Sequence, residues 1–407
     1  MGKGGRETRD RGVGPRARKA RLDKTRALKM ARSAHAYVRG ATVDFYRWLE
    51  SSPGAAHLPV GPAIWICGDC HLGNLGPLAD AEGKVEVQIR DLDQTVIGNP
   101  AHDLIRLGLS LATAARSADL PGVTTARMVE EMVRGYELAM LEPKEADGVP
   151  ESDAIRAVRR RAIGRHWKHL AKERLEDVKP KIPLGKRFWA LTDEERAALD
   201  AVFAAEETQG WIATLGEERQ GCEASLVDAA YWMKGCSSLG TQRFAALLEL
   251  RRGDKLDYAL VDLKEAVAAA APAAPNALMP ADHAQRVVAG ARALSPNLGE
   301  RMLATTVLGR PMVARELAPQ DLKIEVDQFS RAEAVAAARY LAYVVGHAHA
   351  RQMPKAERDA WRATLEGRRA ANLDAPSWLW SSVVDLSASH ESGYLEHCRK
   401  FAMAEAA

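Results

Sequence analysis

The reading of the fold turns on Gly68-Asp69-Cys70-His71-Leu72-Gly73-Asn74 and the later Asp91-Leu92-Asp93. Together they supply an Asp, an Asn five positions on, and a second pair of Asp residues beyond a hairpin pattern. A phosphoryl donor such as ATP carries its charge on hard oxygens, so its magnesium ion takes oxygen ligands, usually one or two carboxylates plus the substrate phosphates. Asp91 and Asn74 meet that need, and Asp93 is a further candidate ligand.

Around this stretch the pattern is strand-like. Ala63 to Cys67 is an apolar run that reads as a buried strand ending at the loop. Val85, Val87 and Ile89 alternate with Glu86, Gln88 and Arg90, the period of two of a half-buried strand. Asp80 to Gly83 has the turn chemistry to join these two strands into a hairpin, which sets the acidic residues at adjoining strand ends. Leu28 to Leu49 reads as helix, as do Asp103 to Leu141 and Ser152 to Ala205, the last broken by Pro180, Pro183 and Gly185.

The pattern changes at Tyr231. Gly235-Cys236-Ser237-Ser238-Leu239-Gly240 opens a run that predicts two strands, Arg243 to Leu250 and Tyr258 to Leu263, across an Arg252-Gly253-Asp254 turn. Ala266 to Pro280 reads as a linker with some helix, followed by an amphipathic helix at Gln285 to Leu294 and a strand at Pro311 to Leu317. Arg331 to Arg351 and the stretch from Ala356 are helical, and there is no internal repeat.

With 407 residues, 47% of them apolar, the chain is long enough for two or three folded domains. A net charge of +3 does not by itself imply a nucleic-acid protein. Basic residues nevertheless crowd residues 1–40, and the start of the chain reads as a solvated arm, with a nucleic-acid or anionic-membrane contact as the lesser reading. No secretory h-region and no run of roughly 18 apolar residues is present, so cytoplasmic residence is expected and a membrane span is not. Five cysteines are odd in number and sparse, which argues for reduced thiols. Cys67-Gly68-Asp69-Cys70 fits a Cys-x-x-Cys pattern, but no second pair completes a zinc site, and buried thiols are the simpler reading.

A phosphoryl-transfer site needs a base, metal ligands, a phosphate-facing Lys and a glycine-rich cover. Asp69 is the candidate base, Asn74, Asp91 and Asp93 the candidate metal ligands, and Lys264 the phosphate-facing Lys. Gly235, Ser237, Ser238 and Gly240 form the candidate cover for ATP.

Asp69 to Asn74 resembles the catalytic loop of aminoglycoside phosphotransferases and choline kinases, relatives of the protein kinases. Ile89 to Asp93, with Gly98-Asn99-Pro100-Ala101-His102-Asp103-Leu104 after it, resembles their metal-binding segment, with Asn99 in place of an Asp and Asp103 as the structural Asp. The glycine turn and Lys264 come after the catalytic loop instead of before it, and Ala337 to Arg351 resembles the helix that leads into that loop. A circular permutation explains both displacements. With Tyr37-Val38-Arg39-Gly40, Trp65 to Asp69, Ser238-Leu239-Gly240, Leu263 to Ala266 and Arg315-Glu316-Leu317, the chain resembles a bacterial family, domain of unknown function 2252.

The resemblance implies an α+β, two-lobed, protein-kinase-like fold, circularly permuted, with a largely helical large lobe and a small antiparallel sheet lobe. Residues 1–28 would form a flexible basic arm, 29–225 the first part of the large lobe, 226–326 the small nucleotide-binding lobe and 327–407 the helical remainder. The family resemblance stops short of a reaction; the acidic residues, Lys264 and the glycine turn predict ATP and magnesium as cofactors and an unidentified hydroxyl acceptor. Ser237 replaces the usual middle glycine, and the helix at Gln285 to Leu294 has no Glu for Lys264, which leaves Glu265 and Asp282 as its candidate partners. Both departures keep open a pseudokinase or scaffold that binds without transferring. A two-metal phosphohydrolase built from Asp69, His71, Asn99, His102, His347 and His349 is the weaker rival, since His347 and His349 would point about 200 degrees apart on one helix.

Overall fold

The basic N-terminal segment acquires structure because some of its residues turn inward. In the computed structural model, which describes residues 13–141, 149–175, 181–235, 239–324, 329–367, 369–370 and 373–401, helix α1 (Pro15–Met30) buries Arg18, Leu22 and Met30. Arg18 donates to Glu195 at 2.5 Å and lies 4.3 Å over the Tyr231 ring. From Pro15 onward the expected solvated arm is therefore a packed helix. Its anchoring carboxylate lies 177 residues along the chain, beyond the reach of local pattern. The single helix expected over Leu28 to Leu49 is likewise divided, because α2 (Ala34–Gly40) and α3 (Thr42–Ser51) follow α1 and Ser33 caps α2 by accepting from the Ala36 N–H.

Four short strands carry the acidic segments: β1 (Ile64–Ile66), β2 (Leu75–Ala79), β3 (Val85–Ile89) and β4 (Val96–Gly98). The pairing corrects the expected hairpin. The turn at Asp80 to Gly83 joins β2 to β3, while β1 pairs antiparallel with β4. Gly76 and Pro77 hide β2 from a propensity reading, since both residues are depleted in strands. The loop Gly68 to Asn74 leaves β1 and enters β2, and Asp91 to Asp93 lies between β3 and β4.

Helices α4 (Pro100–Ser117), α5 (Gly122–Ala139), α6 (Asp153–Ile163) and α7 (Trp167–Leu175) follow. After β5 (Phe188–Trp189) come α8 (Asp193–Ala204), held by a Thr192–Glu195 capping box, and α9 (Glu206–Ala213). Strands β6 (Glu223–Trp232), β7 (Arg243–Arg252) and β8 (Lys255–Glu265) form a meander; the expected linker after it is irregular chain and leads to α10 (His283–Leu294) and α11 (Pro296–Gly299). Strands β9 (Met302–Val307) and β10 (Arg310–Glu316) complete an antiparallel sheet of order β5-β6-β7-β8-β10-β9. The chain ends in α12 (Arg331–Ala350), α13 (Lys355–Glu366), β11 (Arg369–Ala370), β12 (Leu373–Pro376) and α14 (Ser377–Phe401).

The period of two divides the large sheet. Phe244, Ala246, Leu248, Val261 and Leu263 pack against Leu199, Phe203 and Ile212 of α8 and α9. Ala245, Leu247 and Leu260 face Leu170, Phe188 and Trp232 on the other side, and Asp262 and Lys264 continue that second face. A separate core unites α4, α5, α12 and α14. There α5 and α12 cross closely: a Cβ on Gly135 would sit 2.0 Å from the Arg339 carbonyl. The chain is thus a mixed α+β protein with small antiparallel sheets beside a helical core. Among the described residues no helix is long and apolar enough to cross a membrane.

Arg18→Ala removes one partner of a buried ion pair and leaves the Glu195 carboxylate without its cation. It is expected to cost about 3 kcal/mol, read as a lower urea midpoint; an unchanged midpoint would mean that α1 does not pack on the sheet.

Candidate active site

The backbone entering the loop is held by one buried carboxylate. Asp103 of α4, fully buried, accepts from the Cys67 N–H at 2.7 Å and the Gly68 N–H at 2.9 Å. His349 Nε2 lies 3.2 Å from the same carboxylate, its Nδ1 is 2.9 Å from the Tyr136 hydroxyl, and Trp361 donates to that hydroxyl at 3.1 Å. The Tyr46 hydroxyl donates to the Gly68 carbonyl at 2.6 Å. Gly68 itself has φ +73°, and a Cβ there would fall 2.1 Å from the Gln94 carbonyl, so only glycine fits. Asp103 is therefore the loop brace that its place in the sequence implies.

Asp69 follows this anchored turn and is 7% exposed. Its Oδ1 accepts from Arg106 Nε at 2.8 Å and its Oδ2 from the Thr42 hydroxyl at 2.9 Å. Arg106 is fully buried and also donates to the Val38 carbonyl. Asn74 reaches back, its Nδ2 donating to the Asp69 carbonyl at 3.0 Å, which directs its Oδ1 away from that bond. His71 Nε2 lies 3.9 Å from Asp69 Oδ2, and burial pulls the His71 imidazole down to about 3 against the opposing effect of Asp69. At neutral pH it is uncharged.

Lys264 comes from β8, far along the chain, and meets the second acidic segment. Its amine contacts the Asp93 carboxylate and lies 3.7 Å from Asp91 Oδ1. Burial pushes the Asp91 carboxyl up, but Lys264, Arg243 and Arg315 outweigh burial and hold it below the usual carboxylate range. Asp69, Asn74, Asp91, Asp93 and Lys264 line one cleft of about 60 Å³, together with Thr42, Gln94, Thr241, Glu265 and Val267.

Two expected partners of Lys264 are engaged elsewhere. Glu265 accepts from Arg310 at 2.7 Å and from the Gln242 N–H, and Asp282 caps α10 by accepting from the Gln285 N–H. Glu265, the last residue of β8, still lines the cleft, but its carboxylate is taken up by Arg310 and Gln242. In place of a Glu, α10 presents Arg286, which donates to the carbonyls of Asp93, Thr95 and Val267 and so holds the Asp91 to Asp93 segment by its backbone.

Of the candidate phosphate cover, Ser237 and Ser238 lie outside the described residues. Gly235 and Gly240 have φ +93° and +110° and sit beside α1, where Lys29 donates to the Gly235 carbonyl at 3.0 Å. Thr241 is the described residue of this segment that lines the cleft.

The rival constellations do not assemble around Asp69. His349 belongs to the Asp103 brace, His347 lines a separate groove with Glu86 and Tyr343, and Asn99 caps α4. Cys67, Cys70 and Asp103 place ligand atoms within 4.8 Å of one another. Yet Asp103 already binds two backbone amides, and the contact with Cys70 and then burial push the Cys67 thiol well above its ordinary value. A thiol held protonated is a poor metal ligand. Thr42, Arg106 and Arg286 went unread in the sequence. Arg106 had a signal, since an Arg among Leu104, Ile105 and Leu107 must be buried and therefore paired.

The chain matches, over residues 18–400, the family described as Uncharacterized protein conserved in bacteria (DUF2252), and it belongs to that family. No curated protein and no solved structure matches it.

His71 and His390 are both held by burial at about 3, below the ordinary histidine value near 6.5. Below pH about 6.5 the unfolded chain binds protons that the folded chain refuses, so stability is complete above that pH and falls toward pH 3 by about 1.4 kcal/mol per unit for each histidine. His390→Gln, remote from the cleft, should flatten the slope of urea stability between pH 7 and 5; an unaltered slope would contradict the buried neutral imidazole.

Proposed function

We propose that this family member is an ATP- and magnesium-dependent phosphotransferase acting on a hydroxyl acceptor, built as a circularly permuted, kinase-like pair of lobes. One observation carries the reading: the Lys264 amine reaches Asp93 and Asp91 across the cleft that Asp69 and Asn74 also line. In kinases the corresponding Lys stands on the third strand of the small sheet and is followed by a helix. Here Lys264 stands on the third strand of the β6-β7-β8 meander, and α10 follows.

The donor set suits magnesium. Asp91, Asp93 and the Asn74 Oδ1 offer hard oxygens, and among the described residues that line the cleft there is no Cys or His. When bound, magnesium would neutralise charge on the donor phosphates. Lys264 would shift from the carboxylates to phosphate oxygens. Asp69, fixed by Arg106 and Thr42, would accept a hydrogen bond from the acceptor hydroxyl and orient it for attack. The attacking oxygen bonds to the terminal phosphorus, the bond to the leaving diphosphate breaks, and the hydroxyl proton passes toward Asp69.

The absence of an acid on α10 for Lys264 favours a second reading, a pseudokinase that binds nucleotide without transfer. ADP formation separates the two.

A thermal-shift titration with ATP and magnesium should stabilise the wild-type protein, and Asp91→Asn and Lys264→Ala should abolish that shift. Asp69→Asn should retain nucleotide binding while ADP formation falls by roughly two to four orders of magnitude. Absence of any nucleotide-dependent shift in the wild type, or equal loss of affinity in all three variants, would refute this division of roles.

A further inference from the structure

Gly73 and Gly76 flank Asn74, and each leaves room for a basic side chain. A Cβ on Gly73 would come within 3.1 Å of the Arg39 Nε, and one on Gly76 within 2.8 Å of the Arg90 Cδ. Arg315 of β10 joins them, donating to the Arg90 carbonyl at 2.9 Å. The Leu322 carbonyl would lie 2.7 Å from the same Gly76 Cβ, which brings the exposed Lys323 to this rim. Four cations from distant parts of the chain thus gather at the exit of the loop that carries Asp69, and one of them, Arg90, directly precedes Asp91.

Their charge is only partly answered. Arg315 pairs with Asp321 at 2.8 Å, but Asp321 is shared with Arg301. Arg90 reaches only the Asp321 carbonyl, at 3.3 Å. Among the described residues Arg39 and Lys323 have no carboxylate partner, and the buried Nε atoms of Arg39, Arg90 and Arg315 donate to nothing. Desolvation of its amine, and then Arg39, Arg90 and Arg174, pull the Lys323 ammonium down to about 8 against the effect of Asp91, although the residue as a whole keeps exposed surface. Such a cluster attracts an anion, and guanidinium forks match phosphate oxygens in pairs.

We propose that Arg39, Arg90, Arg315 and Lys323 form a phosphate-binding subsite, and that the acceptor hydroxyl belongs to a phosphate monoester held there. The donor phosphates already have Lys264 and the metal-binding carboxylates, so this cluster serves a second, separate phosphate. The anion site stands by itself, whereas its assignment to the acceptor rests on the phosphotransferase reading.

Isothermal titration of the full chain with inorganic phosphate, and separately with ATP plus magnesium, tests this on Arg39→Gln and Lys323→Ala. Phosphate affinity should fall at least about tenfold in each, while nucleotide affinity changes less than about twofold. Lys323 is exposed, so its variant decides the matter even if Arg39→Gln fails to fold. Wild-type protein that binds no phosphate, or variants that bind it unchanged, would overturn the subsite. Equal weakening of phosphate and nucleotide would overturn the acceptor assignment and give the cluster to the donor. A wild type that binds phosphate but no nucleotide would uphold the anion site and refute the phosphotransferase reading.

Discussion

Three carboxylates drawn into one cleft repel each other, and the positions of Asp69, Asp91 and Asp93 are tenable only because cations are built in beside them. Two like charges about 4 Å apart cost about 4 kcal/mol at the effective dielectric of a protein surface. Arg106 answers Asp69 from within α4, fully buried, with Nε on the carboxylate and Nη2 on the Val38 carbonyl. Lys264 answers Asp93 and Asp91 from β8. The acidic loops and the sheet therefore depend on one another, and the cleft exists only where the helical core and the antiparallel sheet meet.

The backbone is fixed by a different means. Asp103, His349, Tyr136 and Trp361 form a buried polar relay from α4 through α12 and α5 to α13, ending on the amides of Cys67 and Gly68. Buried polar groups are tolerable only when satisfied, and here they satisfy each other in sequence. On the opposite side Arg286 holds the carbonyls of Asp93, Thr95 and Val267. The side chains facing the cleft thus stand on main chain that is pinned from below and from the α10 side, the support a preorganised site requires.

Much of this was legible in residue order. The alternation of Val85 to Arg90, the turn at Arg252 to Asp254 and the helical period of Arg331 to Arg351 are local signals, and each corresponds to an element of the structure. The acidic residues and Lys264 were legible because their chemistry is specific even without contacts. What failed to show was pairing. β1 joins β4 instead of β3, because both partners offer similar apolar edges and only the hidden strand at Leu75 to Ala79 settles the choice.

From the residues alone came the chemical kinds present: clustered carboxylates and an amide, a lysine on a strand, glycines where the chain turns sharply, and basic residues in excess near the start. Which of them meet was decided by the folded chain. Arg18 finding Glu195, Lys264 finding Asp93 and Asp91, and Arg39 lying over Gly73 are contacts between segments widely separated in the chain. Local periodicity reports only which face a residue turns, whereas partner identity depends on how those faces pack together, and no stretch of neighbouring residues holds that information.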